Sequence, residues 1–227
     1  MATPYGLLVE GLSYAGLAED EFNDWYDNEH IPGLLRIKGI TNAQRWLNAE
    51  EVSLMPGLGG NVPNLSVAIY DLESLDVLQS PAYRAIADAG RAASPSRVSS
   101  KCRRICHFEA EQILPGRQAG PDRAGGLMMF GFNVPPEVEG EFNAWFNDEH
   151  IPRLSAVDGV LCARRFRMAG GTHRYLAVYH LAAPEVQSSQ AWVKAGASPW
   201  TTRMQSYFLA PGRNPLRFAL RRYGGKN

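Results

Sequence analysis

Twice in this sequence a glutamate is followed at once by a histidine, at Glu29-His30 and at Glu149-His150, each time directly before Ile-Pro. Histidine titrates near neutral pH, so one placed beside a cavity can move a proton without a metal or an organic cofactor. A carboxylate among apolar neighbours can act as acid or base with a raised pKa, or it can tie a buried cation. The bland alternative for each histidine is an imidazole that pins a helix bend through a backbone hydrogen bond. Zinc is not indicated, since adjacent helical residues point apart and no second histidine stands four residues on. Phosphate and nucleophile motifs are missing as well: Gly57, Gly59 and Gly60 precede no helix with Lys-Ser/Thr, and no Gly-x-Ser-x-Gly elbow occurs.

The glutamate-histidine pairs belong to a longer repeat. Glu21-Phe-Asn-Asp-Trp-Tyr-Asp-Asn-Glu-His-Ile-Pro32 returns as Glu141-Phe-Asn-Ala-Trp-Phe-Asn-Asp-Glu-His-Ile-Pro152, an offset of 120 residues. Gly6 to Gly11 aligns with Gly126 to Gly131, Gly39-Ile40 with Gly159-Val160, and Arg45-Trp46 with Arg165-Phe166. Beyond these the offset shortens to 109, matching Ala68 to Leu72 with Ala177 to Leu181, so the first half owns an extra loop within Met55 to Asn64. Apolar runs and helical spacing predict in each half a strand, a helix, two strands, a second helix and a closing strand. The closing strands are expected at Ile105 to Leu114 and Thr202 to Leu209. This β-α-β-β-α-β order is the ferredoxin-like unit, which divides the chain into residues 1–115, a Pro- and Gly-bearing linker at 116–125, and residues 126–227 with a basic C-terminal tail.

On the first helix Phe22, Trp25, Tyr26 and Glu29 fall at i, i+3, i+4 and i+7, which predicts that Glu29 faces the interior with the aromatics; Glu149 repeats this behind Phe142, Trp145 and Phe146. Arg45 and Arg165 are the expected counter-ions. Tyr70 and Tyr179, in matched strands, are candidates to donate a hydrogen bond to a carbonyl or enolate, or else core tyrosines. Trp46, Trp192, Trp200, Phe130, Phe132, Met128 and Met129 would line an apolar pocket or simply fill the core. Asp24, absent from the second half where Ala144 stands, and the extra loop make His30 the expected working histidine. His107, His173 and His180 read as isolated surface or core residues.

An antiparallel four-stranded sheet with helices on one face leaves the other face bare, and two such sheets can close on each other. Here the sequence resembles the dimeric α+β barrel superfamily, and the run Trp-(Tyr/Phe)-x-x-Glu-His-Ile-Pro resembles its EthD-like branch, as a tandem duplication in one chain. The resemblance implies an α+β fold in which two repeats pack sheet to sheet as a pseudo-twofold barrel. It also implies an acidic or histidine side chain from this region facing a pocket. Asp24, Trp25, Tyr26, Arg45, Arg165 and Trp145 are the residues expected around the substrate. The superfamily hosts many reactions. The expected one is a cofactor-independent lyase, dehydratase or isomerase step on a small apolar, cyclic carbonyl or hydroxyl compound. A haem enzyme with His30 or His150 as axial ligand, a cofactor-free oxidoreductase and a non-catalytic binding protein are the alternatives.

Composition bounds the partners. Lys+Arg and Asp+Glu both count 23, so no global field favours nucleic acid or an anionic membrane. No apolar run reaches membrane-span length, and the start lacks signal-peptide character. With the three cysteines Cys102, Cys106 and Cys162, too few and odd in number for a disulfide framework, this points to a cytoplasmic protein. Arg213, Arg217, Arg221, Arg222 and Lys226 read as a basic docking arm. A homodimer through the barrel exteriors or this tail is the expected assembly.

Overall fold

A computed structural model describes residues 2–49, 62–89, 98–213 and 215–224. Gly57, Gly59, Gly60, Lys226 and the extra loop up to residue 61 lie outside them. In chain order the strands are β1 (Gly6–Ser13), β2 (Ile40–Asn48), β3 (Leu65–Leu72), β4 (Arg103–Leu114), β5 (Gly126–Phe132), β6 (Val160–Met168), β7 (Tyr175–Leu181) and β8 (Leu216–Arg222). The helices are α1 (Glu19–Trp25), α2 (Ile31–Leu35), α3 (Pro81–Ala89), α4 (Glu139–Trp145), α5 (Ile151–Ser155), α6 (Gln190–Gly196) and α7 (Pro199–Phe208). No helix among the described residues is long and apolar enough to cross a membrane.

All eight strands pair antiparallel and close into one barrel in the order β1-β3-β2-β8-β5-β7-β6-β4. The expected α+β barrel is therefore present: β4-β1-β3-β2 and β8-β5-β7-β6 are two ferredoxin-like strand orders, joined where β2 meets β8 and β4 meets β6. Side-chain alternation explains the layers. Leu7, Val9, Trp46, Phe166, Val178 and Phe218 point into the barrel, whereas Leu8, Tyr70, Met128 and Tyr179 point outward under the helices. Because both of its faces are covered, β3 is buried along its whole length, and so is β7. Gly39 and Gly159 end the first helical segment of each run at positive φ, 96° and 86°, a conformation that favours glycine.

Two sequence expectations fail at the C-terminus. Thr202 to Leu209 is not a strand but most of α7: Thr201, Met204 and Phe208 are buried at helical spacing, Pro199 occupies the first turn, and Ser198 caps it by accepting from the Thr201 amide at 2.9 Å. The basic tail, expected as an arm docking on the barrel, is instead part of it: Leu216–Arg222 is the closing strand β8, with Phe218 and Leu220 in the barrel core. Its alternation of apolar and basic residues has the period of a strand.

The segment 116–125 lies over one end of the barrel. Arg164 pairs with Asp71 at 2.5 Å and donates to the Gln118 carbonyl at 3.1 Å, while Asp71 accepts from the Gly120 amide at 2.8 Å. Beside them His180 and Gln44 meet at 3.0 Å, and Gln44 donates to the Pro121 carbonyl. By the repeat offsets Gln44 matches Arg164 and Asp71 matches His180. One ion pair and one neutral pair thus occupy equivalent places across the pseudo-twofold.

Candidate functional site

The helix carrying the repeated motif changes pitch within it. Tyr26–His30 is a single π turn, closed by the Ile31 amide on the Tyr26 carbonyl, and Phe146–His150 repeats it. The cause lies one residue on: Pro32 and Pro152 have no amide to donate, and their rings clash with the carbonyl four residues back in a regular helix. The wider turn relieves both problems. It also shifts the helical phase, so two expectations are overturned. Glu29 is exposed and does not face the interior. Nor does it hold Arg45, whose guanidinium instead donates to Asp27 at 2.9 Å, to Asn23 and to Ser66 at 3.0 Å. In the second half Arg165 takes Asn147 and Asn143, not Glu149. Both arginines are buried against aromatic rings: Arg45 lies 4.6 Å from the Tyr26 centroid and Arg165 lies 4.3 Å from that of Phe146. Both hold the helix to the strand beneath it, and neither lines the cavity beside His150. Glu149 accepts from the cap residue Ser198 at 2.5 Å and lies 3.9 Å from Arg153, a tie between helices. Asp24 is exposed and accepts from Asn28.

The same phase shift brings the histidines inward. His30 stacks on Trp25 at 4.8 Å and meets the edge of Tyr26 at 4.9 Å; His150 packs likewise on Trp145 at 4.4 Å and on Phe146 at 5.0 Å. Their remaining neighbours differ. His30 Nε2 lies 3.4 Å from Glu10 Oε2, and the other Glu10 oxygen lies 3.5 Å from Nδ1 of His107, which faces Glu10 directly across the β1–β4 ladder. His107 Nε2 meets Glu109 at 3.1 Å. Burial pulls the Glu10 carboxyl up, but the bonds from His107 and His30 outweigh it and hold it down at about 2. The bond to Glu10 raises the pKa of His107. A carboxylate accepts only, so a hydrogen bond here needs the proton on the His30 nitrogen facing Glu10, and in the neutral imidazole Nδ1 is then the acceptor. The hydroxyls of Tyr26 and Tyr70 are buried nearby against each other, and burial first and the charge of Glu10 among the rest raise both above the usual tyrosine range.

Sequence reasoning missed Glu10 and His107. A signal existed: Leu8, Glu10 and Leu12 alternate on one strand face, which puts a carboxylate on an apolar stripe, and the repeat places Phe130 at the position of Glu10.

In the second half Phe130 and Arg217 pair across β5 and β8 where Glu10 and His107 pair in the first. His150 therefore has no carboxylate. It lines a cavity of about 440 Å³ between the outer face of the sheet and the helices, walled by Met128, Phe130, Phe132, Trp145, Trp192 and Phe208. Trp46 and Met129 lie in the barrel core instead, and Trp200 packs beside the helical layer. Burial, with Arg153 and Arg165 adding to it, lowers His150 to about 4. Tyr179, Gln187, Thr201, Thr202 and Gln205 add polar groups to the wall; the Tyr179 hydroxyl, Gln187 Nε2 and His150 Nδ1 are buried without partners. No Arg or Lys lines this cavity to pair with carboxylates such as haem propionates, so haem does not fit here. Among the described residues no cluster of His, Cys, Asp or Glu is arranged to hold a metal ion.

The sequence matches no family model and no curated protein. Solved structures do match. A candidate monooxygenase of Fusobacterium nucleatum subsp. nucleatum aligns over 100% of this chain and 98% of its own, with a TM-score of 0.61 at 9% identity. An anthrone oxidase-like protein aligns over 96% and 91%, with a TM-score of 0.60 at 10% identity. A candidate chlorite dismutase aligns over 98% and 96%, with a TM-score of 0.62 at 10% identity. At these identities what the three share with this chain is the fold, an antiparallel α+β barrel.

Proposed function

We propose that this protein is a cofactor-independent enzyme that moves a proton on a small apolar carbonyl or hydroxyl compound, a lyase, dehydratase or isomerase step, with His30 as the base. The observation that carries the reading is the half-buried Glu10 carboxylate held between His30 and His107. His107 faces a carboxylate at both ring nitrogens and serves as a fixed counter-ion. His30 faces Glu10 through Nε2 alone: its Nδ1 takes the proton from a carbon beside a carbonyl, or from a hydroxyl, and Glu10 stabilises the imidazolium that forms. Long hydrogen bonds such as that of 3.4 Å from His30 to Glu10 are common before substrate binds. The neutral hydroxyls of Tyr26 and Tyr70 are suited to hold the oxygen on which charge develops. Return of the proton to a neighbouring carbon gives an isomer, and its delivery to a leaving hydroxyl gives water and an alkene.

A second reading is favoured by two of the structural neighbours, named for a monooxygenase and an anthrone oxidase. A carbanion or phenolate made by the same abstraction can pass an electron to dioxygen.

The test is deuterium wash-in from heavy water, followed by NMR, over a panel of cyclic ketones and phenols. The wild type is expected to exchange the acidic C–H of at least one compound, and His30→Ala to slow this by roughly 10²- to 10⁴-fold, with His150→Ala close to wild type. Oxygen uptake dependent on His30 would select the oxidase reading. A stoichiometric Soret band in the purified protein would overturn the cofactor-free claim, and binding without exchange would reduce the protein to a binding module.

A further inference from the structure

We infer that the second half-barrel holds a binding site, separate from the His30 site, for an uncharged aromatic compound bearing a hydroxyl group. The inference stands on the cavity beside His150 and does not depend on the proposed reaction.

Three observations specify the ligand. The first is size: about 440 Å³ falls within the range of small-molecule pockets. It suits a compound of two or three fused rings. Flat walls are provided by Trp145, Trp192, Phe208 and the stacked pair Phe130–Phe132, whose rings lie 5.1 Å apart and 10° from parallel.

The second is charge. No Asp, Glu, Lys or Arg lines the cavity, and His150 is neutral at pH 7 because burial holds it at about 4. A carboxylate or ammonium brought here would be stripped of water with no oppositely charged side chain in the wall to pair with. The ligand is therefore uncharged.

The third is the set of unpaired polar atoms. His150 Nδ1, the Tyr179 hydroxyl and Gln187 Nε2 are buried and unpartnered, and the other end of Gln187 is fixed because its Oε1 accepts from Arg217 at 2.9 Å. All three residues belong to the lining of this one cavity, and each such group is costly unless something fills its bonds. A ligand hydroxyl does so in both senses, donating to the neutral imidazole and accepting from Tyr179 or from the Gln187 amide. A carbonyl could only accept. Entry is marked on the surface, since Val193 and Leu209, 61% and 41% exposed, both belong to the lining.

The site also differs from the His30 site by substitution. Phe130 and Arg217 stand where Glu10 and His107 stand in the first half, so the carboxylate that would drive proton transfer is replaced by a wall for an aromatic ring.

The experiment is calorimetric titration of the full chain with 2-naphthol and, in parallel, with 2-naphthoate. Saturable binding of naphthol at one site per chain is expected, with naphthoate at least roughly tenfold weaker. Tyr179→Phe, which keeps the ring, and His150→Phe should each weaken naphthol by about three- to tenfold, the worth of one hydrogen bond. His30→Ala should leave naphthol binding unchanged. Absence of saturable binding below the solubility of naphthol, or equal affinity for naphthoate, would overturn the inference. So would a loss in His30→Ala with none in Tyr179→Phe, which would move the ligand to the first half. The comparison of naphthol with naphthoate uses wild-type protein, so it decides the matter even if a variant fails to fold. Failure of deuterium exchange together with intact naphthol binding would reject the proposed reaction and leave this site standing.

Discussion

Glu10 concentrates the electrostatics of the first half in one carboxylate, and its neighbours predict how stability follows pH. Its folded pKa, about 2, lies below its ordinary value of 4.5, so it contributes stability that is present above 4.5 and lost as pH falls toward 2. His107 has the opposite sign. Its pKa is raised above 6.5, so its contribution is complete below 6.5 and disappears as pH rises through the raised value. The pair is worth most between these limits. Glu10→Gln is expected to lower stability by on the order of 2 kcal/mol near pH 5.5, with a smaller deficit near pH 3 and near pH 9. Urea denaturation at the three pH values measures it. A deficit that stays constant would show that Glu10 acts through shape alone.

Among the elements, the π turn and α7 decide what the second-half cavity looks like. The turn rotates His150 onto Trp145, and α7 covers the cavity with Thr201, Thr202, Gln205 and Phe208. Ser198 fastens the two, accepting from the Thr201 amide at 2.9 Å and donating to Glu149 at 2.5 Å. Ser198→Ala is expected to cost about 1 kcal/mol, as lost N-caps do, and to lower the melting temperature by roughly 2–4 °C. Glu149→Gln keeps an acceptor for the same hydroxyl, so its melting temperature should stay nearer the wild type. If both variants melt like the wild type, the tie between the π turn and α7 contributes nothing to stability.

At the scale of the whole molecule, neither run of four strands is closed by itself. β4 needs β6 and β2 needs β8, and the inner faces carrying Leu7, Val9, Trp46 and Val67 in one run and Phe166, Val178 and Phe218 in the other cover each other. We propose that the division at residues 1–115 and 126–227 marks two half-barrels that fold but cannot remain single. Residues 1–115 produced alone are expected to run in size-exclusion chromatography as a dimer or an aggregate, because an apolar face of that extent and two strand edges would otherwise meet water. A well-folded monomer would show that closure of the barrel is not needed to stabilise a half.

The repeat, read by itself, determined most of the architecture, because strand alternation and helical spacing are local properties that two copies report independently. It placed β1 to β7, the first helical segment of each half, and the two histidines before their prolines. It misplaced the last strand, since matching by offset has nothing to hold where the halves diverge, although Ser198-Pro199 before a helical spacing and the alternation in Leu216–Arg222 were local signals of α7 and β8. It misdirected Glu29 and the partner of Arg45, because a π turn shifts the helical phase and a regular period cannot anticipate it. The meeting of Glu10, on β1, with His107, on β4, and with His30 could not be read from spacing: these residues lie far apart along the chain, and only the antiparallel β1–β4 register and the packing of the helix over the sheet bring them to one carboxylate.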